Sequence, residues 1–287
     1  MEPLIRNIAD TALWVAIYRA EESERPDAVF HDPYARKLAG ERGAQIADAI
    51  VFGRTNSWSF VARTYLFDTF IMEQVEQGVD MVINLAAGLD TRPYRLPLPE
   101  SLIWVDVDFP HMINHMENMM ATEKPKCQLE RVALDLSERM ARIDLFASLA
   151  GRAKKVLVVA EGLIGYLTES ETGTLAYDLS HEPHFKHWVF DIMSPGLLPM
   201  VQKEMGALLE EANSPLQFAP AEGEDFFRMF KWKPVSSKSK LKTADQLNRL
   251  SDELKVYAAY PEPEGPKGSF PWSGVCLFEN MNTPSAH

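Results

Sequence analysis

The chain has 287 residues and a mass of 32.4 kDa, 46% hydrophobic and 24% charged, enough material for a sizeable core in one large domain or two small ones. Asp and Glu outnumber Lys and Arg by 41 to 29, for a formal net charge of -12, which speaks against any partner recognised through its phosphates, so no nucleic-acid partner is expected. Cys127 and Cys276 are the only cysteines, too few for a disulfide framework or a structural zinc site.

At the N-terminus, Glu2, Arg6 and Asp10 precede a short apolar run that ends at Arg19-Ala20-Glu21-Glu22, the pattern of an amphipathic helix and not of a secretion leader. The longest apolar stretches, such as Leu13–Ile17 and Val156–Ala160, fall far short of the ~20 residues that span a bilayer. No membrane partner and a cytoplasmic location are therefore expected. Residues 3–75 read as helical: Ile8, Ala12, Val15 and Arg19 share a face, and a second periodic stretch runs from Ser59 to Val75. A turn-rich segment, Glu24-Arg25-Pro26-Asp27 to His31-Asp32-Pro33-Tyr34, separates the two.

After Gly78, short apolar runs alternate with helical stretches: Met81–Leu85, Leu102–Val107, Arg131–Leu134, Val156–Ala160 and Trp188–Ile192. Such alternation predicts βαβ units and a parallel sheet covered on both faces. Further on, 197–212 reads as a helix and 213–225 as a polar loop. Trp232–Ser237 and Trp272–Glu279 read as two last strands around a helix at 243–255, with Tyr260-Pro-Glu-Pro-Glu-Gly-Pro a rigid exposed connector. The outline is a helical N-terminal cap over 1–77 and an α/β domain over 78–287 with a lid insertion at about 195–230.

Met81–Asp108 is the most informative segment. A strand runs into Ala86-Ala87-Gly88-Leu89-Asp90-Thr91, and the next strand ends at Asp106-Val107-Asp108. In a doubly wound sheet ligands bind beyond the carboxyl ends of the strands, and an acid about 20 residues after the first turn accepts from ribose hydroxyls. Gly88 to Asp108 has that spacing, which points to a nucleoside-containing cofactor. The turn lacks the first and third glycines of G-x-G-x-x-G, and Asp90 stands where a pyrophosphate would be repelled. A cationic cofactor with an amine and a sulfonium, S-adenosylmethionine, suits it better.

The run Asn84-Leu-Ala-Ala-Gly-Leu-Asp-Thr-Arg-Pro-Tyr-Arg-Leu96, with Trp104-Val-Asp-Val-Asp-Phe-Pro110, resembles the leucine carboxyl methyltransferase family, and within it the bacterial S-adenosylmethionine-dependent O-methyltransferases. The likeness extends to Arg19-Ala20, Asp32-Pro33-Tyr34-Ala35, Arg63-Thr64, Leu134-Asp135-Leu136 and Ala160-Glu161-Gly162-Leu163-Ile164-Gly165-Tyr166-Leu167, thinning after about Pro195. It implies a doubly wound, Rossmann-like methyltransferase sheet, mostly parallel with an antiparallel last strand. It also implies a site. Arg63 pairs with the methionine carboxylate, Arg19 helps hold the same end, and Ala86 and Gly88 line the turn. Asp108 holds the ribose, ahead of Asp106; Asp135 and Leu136 bracket the adenine; Glu161 faces the methionine amine. Many relatives have Gly-Ala-Gly where this chain has Ala86-Ala87-Gly88.

No metal site is expected. His111 and His115 stand at i, i+4 without the glutamate of H-E-x-x-H, and His181, His184 and His187 fall in a loop before a strand. The acceptor is expected to be a small molecule, such as a polyketide-type secondary metabolite, methylated on a carboxylate or a hydroxyl. A carboxylate is ionised at pH 7 and needs no base, whereas a phenol, with a pKa near ~10, usually needs one. No histidine is placed to serve as that base, and Tyr166 is the polar side chain expected to orient the acceptor. An apolar wall from Met193, Leu197, Leu198, Met200 and Met205 fits the acceptor side. Two readings compete: an NAD(P)-dependent oxidoreductase on a similar sheet, against which the A-x-G-x-D turn speaks, and an S-adenosylmethionine-binding protein without turnover.

Overall fold

The computed structural model describes residues 8–282, with backbone alone for Ile8 and Ala9. Glu2, Arg6 and the first residues of the expected N-terminal helix lie outside the described residues. Seven strands form one sheet: β1 (Met81–Leu85), β2 (Ile103–Asp108), β3 (Gln128–Ala133), β4 (Val156–Ala160), β5 (Phe185–Met193), β6 (Trp232–Ser239) and β7 (Ser273–Asn280). Their order is β3-β2-β1-β4-β5-β7-β6. All neighbours from β3 to β5 run parallel, and β7 runs antiparallel to both β5 and β6. The expected antiparallel last strand is thus present, inserted between its two predecessors. The central strands β1 and β4 are buried along their whole length, as continuous apolar runs require when helices cover both faces. At the edge, β3 starts three residues before the expected Arg131 because Gln128, Leu129 and Glu130 carry no apolar run to announce it.

The N-terminal helices are α1 (Ile8–Ser23), α2 (Ala35–Ala49), α3 (Val51–Thr55) and α4 (Ser57–Glu76), and α2 bends at Gly40, whose φ is +58°. Between strands come α5 (Arg92–Arg95), α6 (Pro110–Met119), α7 (Arg139–Ala150) and α8 (Glu169–Ser180). The last is started by a capping box in which Thr168 and Glu171 each accept from the other's backbone N–H. After β5 follow α9 (Leu198–Glu211), α10 (Lys240–Gln246) and α11 (Asp252–Ala258). The single helix expected at 243–255 is two, because Asn248 takes a left-handed φ of +55° and Ser251 caps a new start. No helix among the described residues is long and apolar enough to cross a membrane.

Three clusters hold these layers. On one face, Phe146, Leu175 and Leu179 of α7 and α8 meet Trp188, Phe190 and Phe278 of β5 and β7. On the other, Leu66, Phe67, Phe70 and Ile71 of α4 cover Val82, Trp104, Leu157 and Val189. Phe67 and Ile71 are fully buried, each contributing about 2–3 kcal/mol. The third cluster places the site: Trp14, Ile17 and Tyr18 of α1 and Leu38 and Ile46 of α2 pack with Met205 and Leu209 of α9, and with Met112 and Met116 of α6. Elements far apart in sequence therefore close over the carboxyl ends of the central strands.

Candidate functional site

A cavity of about 720 Å³ opens beneath that cluster, over the tips of β1 to β5. The strand order reverses between β1 and β4, where two crossovers leave in opposite directions and open a crevice. Arg19, Arg63, Ala86, Gly88, Asp108, Asp135, Leu136, Glu161 and Tyr166 all line it, whereas Asp106, Leu198 and Met200 do not.

The turn after β1 explains its own sequence. Ala86 and Gly88 both take left-handed backbone, with φ of +53° and +55°. Glycine does so without penalty, whereas alanine pays for its Cβ. The Gly88 N–H donates to Asp108 Oδ2 at 2.6 Å, and the Phe109 N–H donates to Asp108 Oδ1 at 2.7 Å, so both carboxylate oxygens are fixed by backbone. Burial pushes the Asp108 pKa up, against the pull of these two N–H groups. Asp108 itself lines the cavity. Asp106, the lesser candidate, does not line the cavity; it is buried one pleat back, accepting from Trp104 Nε1 at 2.8 Å and Asn84 Nδ2 at 3.1 Å. Asp135 lies two residues beyond the end of β3, where Oδ1 accepts from the Ser137 N–H at 2.9 Å, and Leu136 packs against the main core.

At the tip of β4, Glu161 is gripped from two sides: Arg63 Nε donates to Oε1 at 2.9 Å and Arg92 Nη2 donates to Oε2 at 2.7 Å. Burial alone would raise its pKa, but Arg92 and Arg63 outweigh that and bring it down to about 2. Arg92 also donates to Asp90 at 2.7 Å and to Asp68 at 2.6 Å, and Asp68 is shared with Arg95. This revises one expectation. The Asp90 carboxylate is spent on Arg92 and Asn84, so its charge does not select against a pyrophosphate in the turn.

Arg19, on α1, donates to Asp32 Oδ2 at 2.9 Å and to the Leu89 carbonyl at 2.6 Å, which ties the cap to the turn after β1. Tyr166, at the end of a 3₁₀ turn (Ile164–Tyr166), is hydrogen-bonded to Thr11, and burial pushes its phenol pKa up, so it is neutral at pH 7. Of the expected apolar wall, Met193, Leu197 and Met205 line the cavity; Leu198 does not, and Met200 is 54% exposed on the outer face of α9. The sequence reading missed Arg92, Asp191 and Lys240, and the aromatic side chains Trp14, Phe52, Trp58 and Phe60. Arg92 lay within the family-like run. The others sit in segments without a motif.

The model of leucine carboxyl methyltransferase matches residues 12–179, more than half of the chain and all of the strand tips just described up to Tyr166. The chain belongs to the leucine carboxyl methyltransferase family. It is 34% identical over 178 residues to a Mycobacterium sp. (strain KMS) protein named "Putative S-adenosyl-L-methionine-dependent methyltransferase", covering 56% of this chain and 59% of that protein. A like-named protein of Parafrankia sp. (strain EAN1pec) is 34% identical over 187 residues, covering 60% and 59% of the two chains. The chain thus aligns with about three fifths of the length of these curated relatives. A Thermobifida fusca methyltransferase, itself titled "putative", shares the fold with a TM-score of 0.61 at 14% identity, over 98% of this chain and 97% of that one. A Streptomyces avermitilis DUF574 protein does so with a TM-score of 0.56 at 16% identity, over 92% and 96%. The sheet of this chain continues past residue 179, where the family model stops, through β5, β6 and β7.

Proposed function

We propose that this member of the leucine carboxyl methyltransferase family is an S-adenosylmethionine-dependent O-methyltransferase acting on a carboxylate or hydroxyl of a small molecule such as a polyketide-type metabolite. The observation that carries the reading is the convergence of Asp108, Glu161 and Arg63, from β2, β4 and α4, on one cavity. The donor set fits the cofactor. Asp108 is held open for a ribose diol by two backbone N–H groups, and Leu136 and Asp135 offer an apolar face and an acceptor for adenine beyond it. Arg63 bonds Glu161 through Nε and faces Asp191 through Nη1 at 3.7 Å, so Nη2 remains for the amino-acid carboxylate, and the amine would share the Glu161 carboxylate with Arg63 and Arg92. When bound, S-adenosylmethionine supplies a methyl group on a sulfonium with a neutral thioether as leaving group.

What the chain itself contributes is placement and exclusion of water. The helices of 1–77 act as a cap and the 195–230 segment as a lid, closing through the Trp14, Ile17, Met205 and Leu209 contacts over the strand tips. Tyr166, neutral and tied to Thr11, orients the acceptor and does not serve as a base. Calorimetric titration with S-adenosylhomocysteine, followed by mass-spectrometric assay of methyl esters and ethers from a panel of acids and phenols, tests the reading. Absence of binding removes it; binding without turnover across the panel leaves a binding protein in its place.

A further inference from the structure

Past the tip of β4, on the side away from Asp108 and Asp135, stand groups that the cofactor does not need. Lys240, the first residue of α10, is buried and lines the cavity. Its Nζ reaches Asp191 Oδ2 at 3.3 Å, longer than the about 2.7–2.9 Å of a charge-assisted N–H···O bond, and among the described residues this is its hydrogen bond. Asp191 spends its other oxygen on the Gly162 N–H at 2.7 Å and also faces Arg63 at 3.7 Å. An ammonium carries three N–H donors, and burying them unsatisfied is costly. Lys240 therefore keeps two unspent donors at the cavity wall.

The surface beside it is aromatic. Trp58 packs against the Ala62, Ala244 and Leu250 cluster under α10, and its indole Nε1 is buried with no hydrogen-bond partner among the described residues. Trp14, Phe52 and Phe60 continue the lining, with Trp14 and Phe60 edge to face at 5.4 Å between ring centroids. Such a wall favours a flat ring over a flexible chain.

Resting on the methyl-transfer reading, we infer that Lys240 is a specificity-determining residue whose ammonium holds the methyl acceptor, an aromatic acid lying against Trp14, Phe52, Trp58 and Phe60, by one carboxylate oxygen. The other oxygen forms the O–CH₃ bond from a lone pair, the S–CH₃ bond breaks with its pair kept by sulfur, and no proton changes hands. Burial, with the Arg63 charge, holds the Lys240 pKa below its usual value although Asp191 pushes it up, so an anionic ligand adds to what keeps the ammonium charged. Esterification removes the negative charge of the carboxylate, so the product is held less tightly than the substrate.

The test titrates benzoate, cinnamate and 1-naphthoate, each beside its primary amide, into protein saturated with S-adenosylhomocysteine, following tryptophan fluorescence in the wild type, Lys240→Met and Lys240→Arg. In the wild type the acids are expected to bind about ten-fold more tightly than the amides. Lys240→Met should erase the preference and Lys240→Arg retain most of it, with S-adenosylhomocysteine affinity changed less than about two-fold in both, which also shows that the variants fold. Equal binding of acids and amides, no acid binding to the wild type, or a preference that survives Lys240→Met overturns the proposal. So does a parallel loss of S-adenosylhomocysteine affinity, which assigns Lys240 to the cofactor's end. Wild-type protein that binds no S-adenosylhomocysteine overturns the methyl-transfer reading and this proposal together, and is recognised before any acid is added.

Discussion

Arg63 Nε donates to Glu161 Oε1 at 2.9 Å, joining helix α4 to the tip of β4 across 98 residues of sequence. Glu161 accepts from Arg92 as well, so one carboxylate balances two buried guanidinium groups from separate elements, and the cap is fixed to the sheet at the point where the cavity opens.

Glu161→Gln leaves both guanidinium groups without that charge. Breaking a buried pair in this way is expected to cost about 3–5 kcal/mol, read from urea denaturation. The pH dependence has a defined sign. The Glu161 pKa lies at about 2, below the 4.5 of the unfolded chain. The stabilisation, roughly 3 kcal/mol, is thus present above pH 4.5 and lost as pH falls toward 2. Wild-type stability should fall more steeply than that of the variant in this window, and parallel curves would contradict the assignment.

Asp106 titrates in the opposite sense. Burial first, then the Asp90 charge, push its pKa up from 3.8 to about 7, against the hydrogen bonds from Trp104 and Asn84. The folded protein holds this proton more tightly than the unfolded chain, so the contribution is full below pH 3.8 and lost as pH rises through 7. Asp106→Asn removes the titration while its amide oxygen can still accept from Trp104. Between pH 5 and 8 the wild type is expected to lose up to about 3 kcal/mol of unfolding free energy that the variant keeps, read from urea denaturation at each pH.

Ala86→Gly tests the turn. With φ of +53°, Ala86 carries a left-handed cost of about 1–2 kcal/mol, partly offset by the extra entropy that glycine loses on folding. A net gain of about 0.5–1 kcal/mol in unfolding free energy is expected; destabilisation would mean that the Ala86 methyl makes contacts worth more than the strain.

Much of the arrangement was legible in the chain. β1 and β4 appear where Met81–Leu85 and Val156–Ala160 announce them, because buried parallel strands are continuous apolar runs. Arg63, Gly88, Asp108 and Glu161 were found because they sit beside such runs or within family-like motifs. Arg92 was overlooked because, beside the neighbouring Asp90, its partners Asp68 and Glu161 come from α4 and the tip of β4, and no local spacing ties those to it. Lys240 and Trp58 carry no pattern at all: one begins a helix seven residues long and the other is the second residue of α4, and only the packing of α10 on α4 sets them beside one cavity. The break at Asn248 was hidden because a left-handed asparagine looks in sequence like any polar helix residue.

Calorimetric titration of S-adenosylhomocysteine into the wild type and Asp108→Ala probes most directly whether the strand-tip acids with Arg63 hold an adenosine bearing an amino-acid tail. Binding tighter than about 100 μM is expected for the wild type, weakened about ten-fold or more when the Asp108 carboxylate is lost. No heat and no rise in melting temperature with S-adenosylhomocysteine at about 1 mM, while NADH binds the same protein, would contradict it.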